Sequence, residues 1–325
     1  MILVRSPLRI SLGGGGTDLP SYYEKYGGFF ISAAVNKYVY LMMSRMFKPG
    51  FSIKYSRYEE VAGVNDIEHP IIRAVTRKYM PRETGVEIVS TADIPAGTGM
   101  GSSASFTAAL IKSIYAFNRM VVSPRRLAEE ACEIEINVLR EPVGKQDQYI
   151  TAFGGVTCFE IGTDGTVHVS PLQISEETRC ELEDNLLLFF TGYSRNASEV
   201  LRIQNNATIH QDEEMISNLH FVKKLGIESK AALERGDAEQ FAGLMNTHWV
   251  YKKKRAGAMT NGQIDYLYDM ALKNGALGGK LIGAGGGGFL MFYAYDKRAL
   301  RKKMQAEGLR EIRFKFDFKG TDVMF

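Results

Sequence analysis

One stretch, Pro95-Ala-Gly-Thr-Gly-Met-Gly-Ser-Ser-Ala-Ser105, constrains this chain more than any other. Its glycines alternate at 97, 99 and 101. Alternating glycines permit positive φ and let backbone N–H groups approach an anion closely. The small residues Ser102-Ser103-Ala104 open an amphipathic run that predicts a helix over Ser102–Phe117. A helix N-terminus carries free N–H donors and the positive end of a dipole, so a phosphate fits there. The serine hydroxyls either cap that helix or ligate a divalent cation. The P-loop is excluded because no Lys follows the glycines, and the dinucleotide fingerprint because the third glycine comes one residue early. A purely structural glycine turn is the other reading of the stretch.

Around it the pattern is mixed. Strands are expected at 2–12, which ends on four glycines, at 29–43, as one strand or a pair, and at 86–90. Ser123 caps a helix with Pro124 at its first position, running to about 139 and ended by Pro142 and Gly144. Residues 156–161 and 167–170 flank a glycine-containing turn and read as a hairpin. Polar composition at 171–179 marks a boundary between units 1–175 and 176–325. Beyond it come a strand at 185–190, helices over 197–245 broken at Gly236-Asp237, a helix at 263–273, and strands at 289–294 and 312–316. Antiparallel-looking strands with grouped helices make the class α+β rather than regular βαβ winding.

The net charge of +3, from 40 Lys+Arg against 37 Asp+Glu, is too balanced for nucleic acid or an anionic membrane as partner. Cys132, Cys158 and Cys180 lack metal-ligand spacing and read as reduced thiols. Arg5 and Arg9 interrupt the apolar start, so it does not read as a signal peptide. No apolar run approaches the ~20 residues of a bilayer span. A cytoplasmic protein is expected.

Residues 95–105 resemble the P-x-x-x-G-[LM]-G-S-S-[AS]-[AS] motif of the GHMP kinases, the family of galactokinase, homoserine kinase, mevalonate kinase and phosphomevalonate kinase. The resemblance implies a two-domain α+β fold with mixed and antiparallel sheets and an active site between the domains. It implies ATP and Mg²⁺ as cofactors, with Pro95, Gly97, Gly99, Met100, Gly101, Ser102, Ser103 and Ala104 binding ATP. Arg9-Ile-Ser-Leu-Gly-Gly-Gly-Gly-Thr-Asp18 resembles the family's first motif, R-V-N-L-I-G-E-H-T-D in galactokinases. This places Arg9 beside the reacting hydroxyl and Asp18 on sugar hydroxyls, with Gly14, Gly15 and Thr17 alongside. Gly15 and Gly16 replace the galactokinase Glu-His pair, which weakens galactose as substrate. Asp18 also suits a helix cap or turn.

Lys280-Leu-Ile-Gly-Ala-Gly-Gly-Gly-Gly-Phe289 resembles the third motif, K-x-[ST]-G-A-G-x-G-G, with Ile282 in the [ST] position. Its glycines, Gly285 and Gly286 among them, are expected near the phosphate loop and substrate, or serve a structural bulge. Pro142-Val-Gly-Lys-Gln-Asp147-Gln resembles the galactokinase P-x-G-x-x-D-Q pattern. By that resemblance Asp147 is the general base, and Glu135, seven residues before Pro142, ligates magnesium with Ser103. Lys145 reads as a solvated lysine.

Three further stretches are similar to a bacterial subgroup acting on D-glycero-D-manno-heptose 7-phosphate. They are the string from Arg5 to Tyr23, Thr191-Gly-Tyr-Ser-Arg-Asn-Ala-Ser198, and the basic end of His248-Trp-Val-Tyr-Lys-Lys-Lys-Arg255. The expectation is an ATP-dependent kinase for the anomeric hydroxyl of that sugar, giving the 1,7-bisphosphate for GDP-heptose synthesis. A phosphorylated sugar needs cationic partners, which Arg195, Lys252, Lys253, Lys254 and Arg255 supply unless they form a solvated helix face. A kinase for an unphosphorylated sugar such as fucose or galactose, and a sensor without catalysis, remain as alternatives. A homodimer and a monomer both stay open.

Overall fold

The aromatic and β-branched run expected over 29–43 forms one strand, Gly28–Arg45, rather than a pair. It stays continuous because both edges are occupied along its length. On one side lies β1 (Ile2–Gly13), antiparallel. On the other, its first half pairs with residues 156–161 and its second half with Val86–Ala92, so the backbone of both halves is hydrogen-bonded. The structure, a computed structural model, describes residues 1–192, 197–255 and 259–325.

In chain order, β1 is followed by α1 (Pro20–Tyr26), β2 (Gly28–Arg45), β3 (Phe51–Lys54), β4 (Tyr58–Val61), α2 (Pro70–Tyr79) and β5 (Val86–Ala92). Then come α3 (Ser102–Phe117), α4 (Pro124–Cys132), α5 (Gln146–Phe153), β6 (Val156–Ile161), β7 (Val167–Pro171) and α6 (Glu176–Asn185). These elements build a sheet ordered β1-β2-β5-β3-β4, with the β6–β7 hairpin on β2 and the chain's last strand, Asp322–Val323, added on the outer edge of β1. Its core is closed by α3, whose Ala108, Ala109, Leu110 and Ile111 are fully buried.

The later elements are β8 (Leu186–Phe190), α7 (Ala197–Ile209), α8 (Glu213–Glu234), α9 (Ala238–Arg255), α10 (Gly262–Lys273), β9 (Ala276–Leu281), β10 (Phe289–Ala294), α11 (Lys297–Ala306), β11 (Arg310–Ile312) and β12 (Asp322–Val323). They form an antiparallel sheet ordered β11-β8-β10-β9. Trp249 of α9 is fully buried against this sheet in a second apolar cluster with Phe189 and Phe292.

Two expected elements differ. The helix from Pro124 is α-helical only to Cys132 and widens into a π-helical turn over Glu133–Val138, in which Leu139 N donates to Ile134 O at 2.9 Å. The strand expected over 312–316 stops at Ile312, because the chain then leaves β8 and crosses to the first sheet. There Lys315 O accepts from Asn36 N and Asp317 N donates to Ala34 O, each at 2.9 Å. The chain ends beside β1, with Val4 opposite Val323.

Candidate active site

The alternating glycines have φ of 78°, 79° and 75° at 97, 99 and 101, and Gly101 is the N-cap of α3. Each needs to be glycine for its backbone alone, and two also for space. A Cβ at Gly99 would lie 2.9 Å from Ile282 O, and one at Gly101 would lie 3.1 Å from Arg9 Cγ and 3.2 Å from Asp147 Oδ2. The loop is therefore gripped between β1 and the glycine turn after β9. Met100 is fully buried and anchors it, and Thr98 Oγ1 donates to Pro95 O at 3.0 Å. Ser102, Ser103 and Ala104 form the first turn of α3.

Arg9 ties the loop to the first turn of α5. Its backbone N donates to Met100 O at 3.0 Å and its Nη1 to Gly99 O at 2.5 Å. Its Nε and Nη2 donate to the two oxygens of Asp147 at 2.7 and 2.6 Å, a bidentate pair that fixes the carboxylate plane. The Asp147 side chain keeps 28% of its surface exposed, towards a cavity lined also by Ser11, Gly15, Gly16, Asp18 and Gln146.

Asp18 accepts from Gly16 N at 3.0 Å and from Gln146 N at 3.1 Å, joining the four-glycine turn to the start of α5. Burial first, then the charge of Asp147, push its carboxyl above the usual range. Gly144 is required here, since a Cβ would fall 2.0 Å from Asp18 Oδ2.

Glu135 sits in the π-helical turn, buried, accepting from the Ser103 hydroxyl and from Gln148 Nε2, the latter at 2.6 Å. Burial raises its carboxyl to about 7. Its hydrogen-bond partners are neutral and no ion pair reaches it among the described residues. A buried carboxylate without a counter-ion, beside a hydroxyl at the helix start that closes a phosphate loop, is an oxygen-donor set suited to Mg²⁺. Among the described residues, no group of three or more His, Cys, Asp or Glu forms a metal cluster.

The far wall is cationic. Lys252 Nζ donates to Leu281 O at 3.0 Å and Gly283 O at 2.5 Å. Arg255 Nε donates to Asn218 Oδ1 at 2.9 Å and its Nη1 to Gly15 O at 3.1 Å. Lys280 Nζ donates to Leu12 O at 3.0 Å and lies 3.3 Å from His248 Nδ1. Burial lowers all three cations, Arg255 to about 10 against the opposing pull of Asp18, and for Lys252 and for Lys280, at about 7, repulsion from neighbouring cations adds to it. His248 is lowered well below its usual value for the same reasons.

Several expected substrate residues lie elsewhere. Lys253 pairs with Asp265 at 3.0 Å and covers the Trp249 ring, and Lys254 covers Tyr251, because neither is on the α9 face that meets the cavity. Thr17 is fully buried, its hydroxyl engaged with Gly14 O and Phe29 O, and Gly14 is packed against Phe29 O; both hold the turn rather than line the cavity. Gly285 and Gly286 pack on Met259, whereas Gly283 and Ala284 line the cavity. Arg195 lies outside the described residues. The sequence reading missed Ser11, Gln146, Gln204, His248 and, as a cation, Lys280.

The model of the GHMP kinases N terminal domain matches residues 67–155, and that of the GHMP kinases C terminal region matches residues 229–309. The chain belongs to the GHMP kinase family. The D-glycero-alpha-D-manno-heptose 7-phosphate kinase of Campylobacter jejuni is 29% identical to this GHMP kinase, over 90% of this chain and 89% of that one. The crystal structure of a D-glycero-D-manno-heptose 1-phosphate kinase from Bacteroides thetaiotaomicron superposes with a TM-score of 0.82 at 25% identity, covering 100% and 99% of the two chains. The L-fucokinase/L-fucose-1-P guanylyltransferase of Bacteroides fragilis is 26% identical over 91% of this chain, which spans 35% of that longer relative. No helix among the described residues is long and apolar enough to cross a membrane.

Proposed function

We propose that this GHMP kinase transfers the γ-phosphoryl group of ATP to the anomeric hydroxyl of D-glycero-D-manno-heptose 7-phosphate, giving the 1,7-bisphosphate for GDP-heptose synthesis. The observation that carries the reading is Arg9, whose one guanidinium bonds both the phosphate loop and both oxygens of Asp147. A carboxylate is thereby held beside the place where phosphates would sit. The two heptose-phosphate kinases among the relatives supply the sugar. In the proposed halves, 1–175 and 176–325, the last strand returns to the first half.

Residues 95–104 would hold the ATP phosphates on the N-terminus of α3. Ser103 and Glu135 would hold Mg²⁺, which when bound neutralises phosphate charge. Each Asp147 oxygen keeps a lone pair beyond its bond to Arg9. Asp147 takes the proton of the sugar hydroxyl as its oxygen bonds to the γ-phosphorus and the bond to the ADP oxygen breaks. Arg9 balances charge at that point, and Asp18 with Gln146 orients the sugar. ADP release measured against heptose 7-phosphate, free heptose, fucose and galactose tests this. The expected result is turnover of heptose 7-phosphate above all the others; equal or better use of fucose or galactose would reject it.

A further inference from the structure

Lys252, Arg255 and Lys280 share an anomaly. All three are buried, with 8%, 7% and 2% of their surfaces exposed, and all three line the cavity. None has a carboxylate within ion-pair distance among the described residues, and their bonds go to backbone carbonyls, the Asn218 amide and a histidine ring nitrogen. Burying cations without counter-ions is strongly unfavourable unless a ligand supplies the missing charge. Arg255 goes further. Its Nη2 is buried with no hydrogen-bond partner among the described residues.

The four-glycine turn explains how Arg255 reaches the cavity. A Cβ at Gly16 would lie 2.4 Å from Arg255 Nη1, so a side chain there would displace the guanidinium. Gly16 also has φ of 101°, which side-chain-bearing residues rarely adopt. Gln204 Nε2 donates to Gly16 O at 2.9 Å and holds the turn in place. Gly16, which stands at the second position of the Glu-His pair of galactokinases, thus opens a slot for an arginine from α9.

We infer that Arg255, backed by Lys252 and Lys280, forms a subsite for a dianionic phosphate monoester on the sugar substrate, across the cavity from Arg9 and Asp147. The assignment rests on the kinase reading above and adds the residues that select a phosphorylated over an unphosphorylated sugar. A guanidinium offers phosphate oxygens several N–H donors in one plane, a geometry an ammonium does not reproduce. The charged groups that act on Arg255 are Asp18, Lys252 and Lys280, so cations outnumber carboxylates at this end.

Two measurements test this on the full chain. In the unaltered enzyme, inorganic phosphate should inhibit competitively against the sugar phosphate and not against ATP; inhibition competitive with ATP alone, or none, overturns the subsite. In Arg255→Gln, KM for heptose 7-phosphate should rise at least about tenfold with kcat and the KM for ATP nearly unchanged, the pattern of lost ground-state binding. The preference for heptose 7-phosphate over free heptose should fall by the same factor, and Arg255→Lys should restore part of it. If Arg255→Gln keeps the full preference, Arg255 does not select phosphate, although the kinase reading stands. If the unaltered enzyme shows no preference for the phosphorylated sugar, the choice of substrate fails first. A variant that does not fold leaves the phosphate competition to decide.

Discussion

Asp147 and Arg9 are best separated by an isosteric change. Asp147→Asn keeps an acceptor for Arg9 but removes the base, so kcat should fall by about 10² or more with ATP affinity nearly intact. Stopped turnover with unchanged ATP titration would agree; an unchanged kcat would remove Asp147 from the reaction. Lys280 offers a second test at this scale. Its ammonium titrates near 7 when folded and near 10.5 in the unfolded chain, so between those values the unfolded chain binds more protons. Stability should therefore rise with pH across that window. Compared with Lys280→Met, the unaltered protein should gain urea midpoint between about pH 7 and about pH 9.5, whereas a constant difference contradicts the burial of this charge. The motif spacing made Arg9, Asp18, Glu135 and Asp147 legible as a set, because each motif is local in sequence. The cations were harder. Lys252, Lys253 and Lys254 look alike in a row, yet His248, Lys252 and Arg255 are spaced i, i+4, i+7 and continue the buried stripe of Phe241 and Met245. Applying that period to the basic end would have singled out Lys252 and Arg255.

At the level of elements, the two glycine turns form one device. A Cβ at Gly283 would lie 2.5 Å from Gly99 Cα, so the turns touch backbone to backbone. Gly99→Val should abolish ATP binding by calorimetry while the circular dichroism spectrum is retained; a variant that still binds ATP would show that the loop is not the phosphate cradle. The π-helical turn is the other device. It turns Glu135 inwards to Ser103, and π-turns are frequent at functional sites. Glu135→Gln should raise the Mg²⁺ concentration for half-maximal turnover by about tenfold or more. An unchanged magnesium dependence would reject the pair. Ser123 and Pro124 announced the start of that helix, but nothing local announced the widened turn, whose Glu135 is held by Ser103 and Gln148 from elsewhere in the chain. The short strands β3 and β4 escaped notice for a similar reason, being four residues each and stabilised by pairing with β5 and one another.

Across the whole molecule, the α+β class with two sheets followed from the strand patterns and glycine punctuation. The return of the chain's end to the first sheet did not, since Lys315 and Asp317 are placed by backbone bonds to Asn36 and Ala34, and Asp322 and Val323 by pairing with Arg5 and Val4, all distant in sequence. The packing of α8 and α9 on β1 brings the cationic wall from the second half against the Arg9–Asp147 pair from the first. The claim that joins these features is phosphoryl transfer to the anomeric oxygen of a sugar already carrying a phosphate. Phosphorus NMR of a reaction with ATP, Mg²⁺ and heptose 7-phosphate tests it directly. A new sugar phosphate resonance coupled to the anomeric proton should grow in step with ADP while the 7-phosphate signal persists. ADP release without that resonance, or no turnover at all, would contradict it.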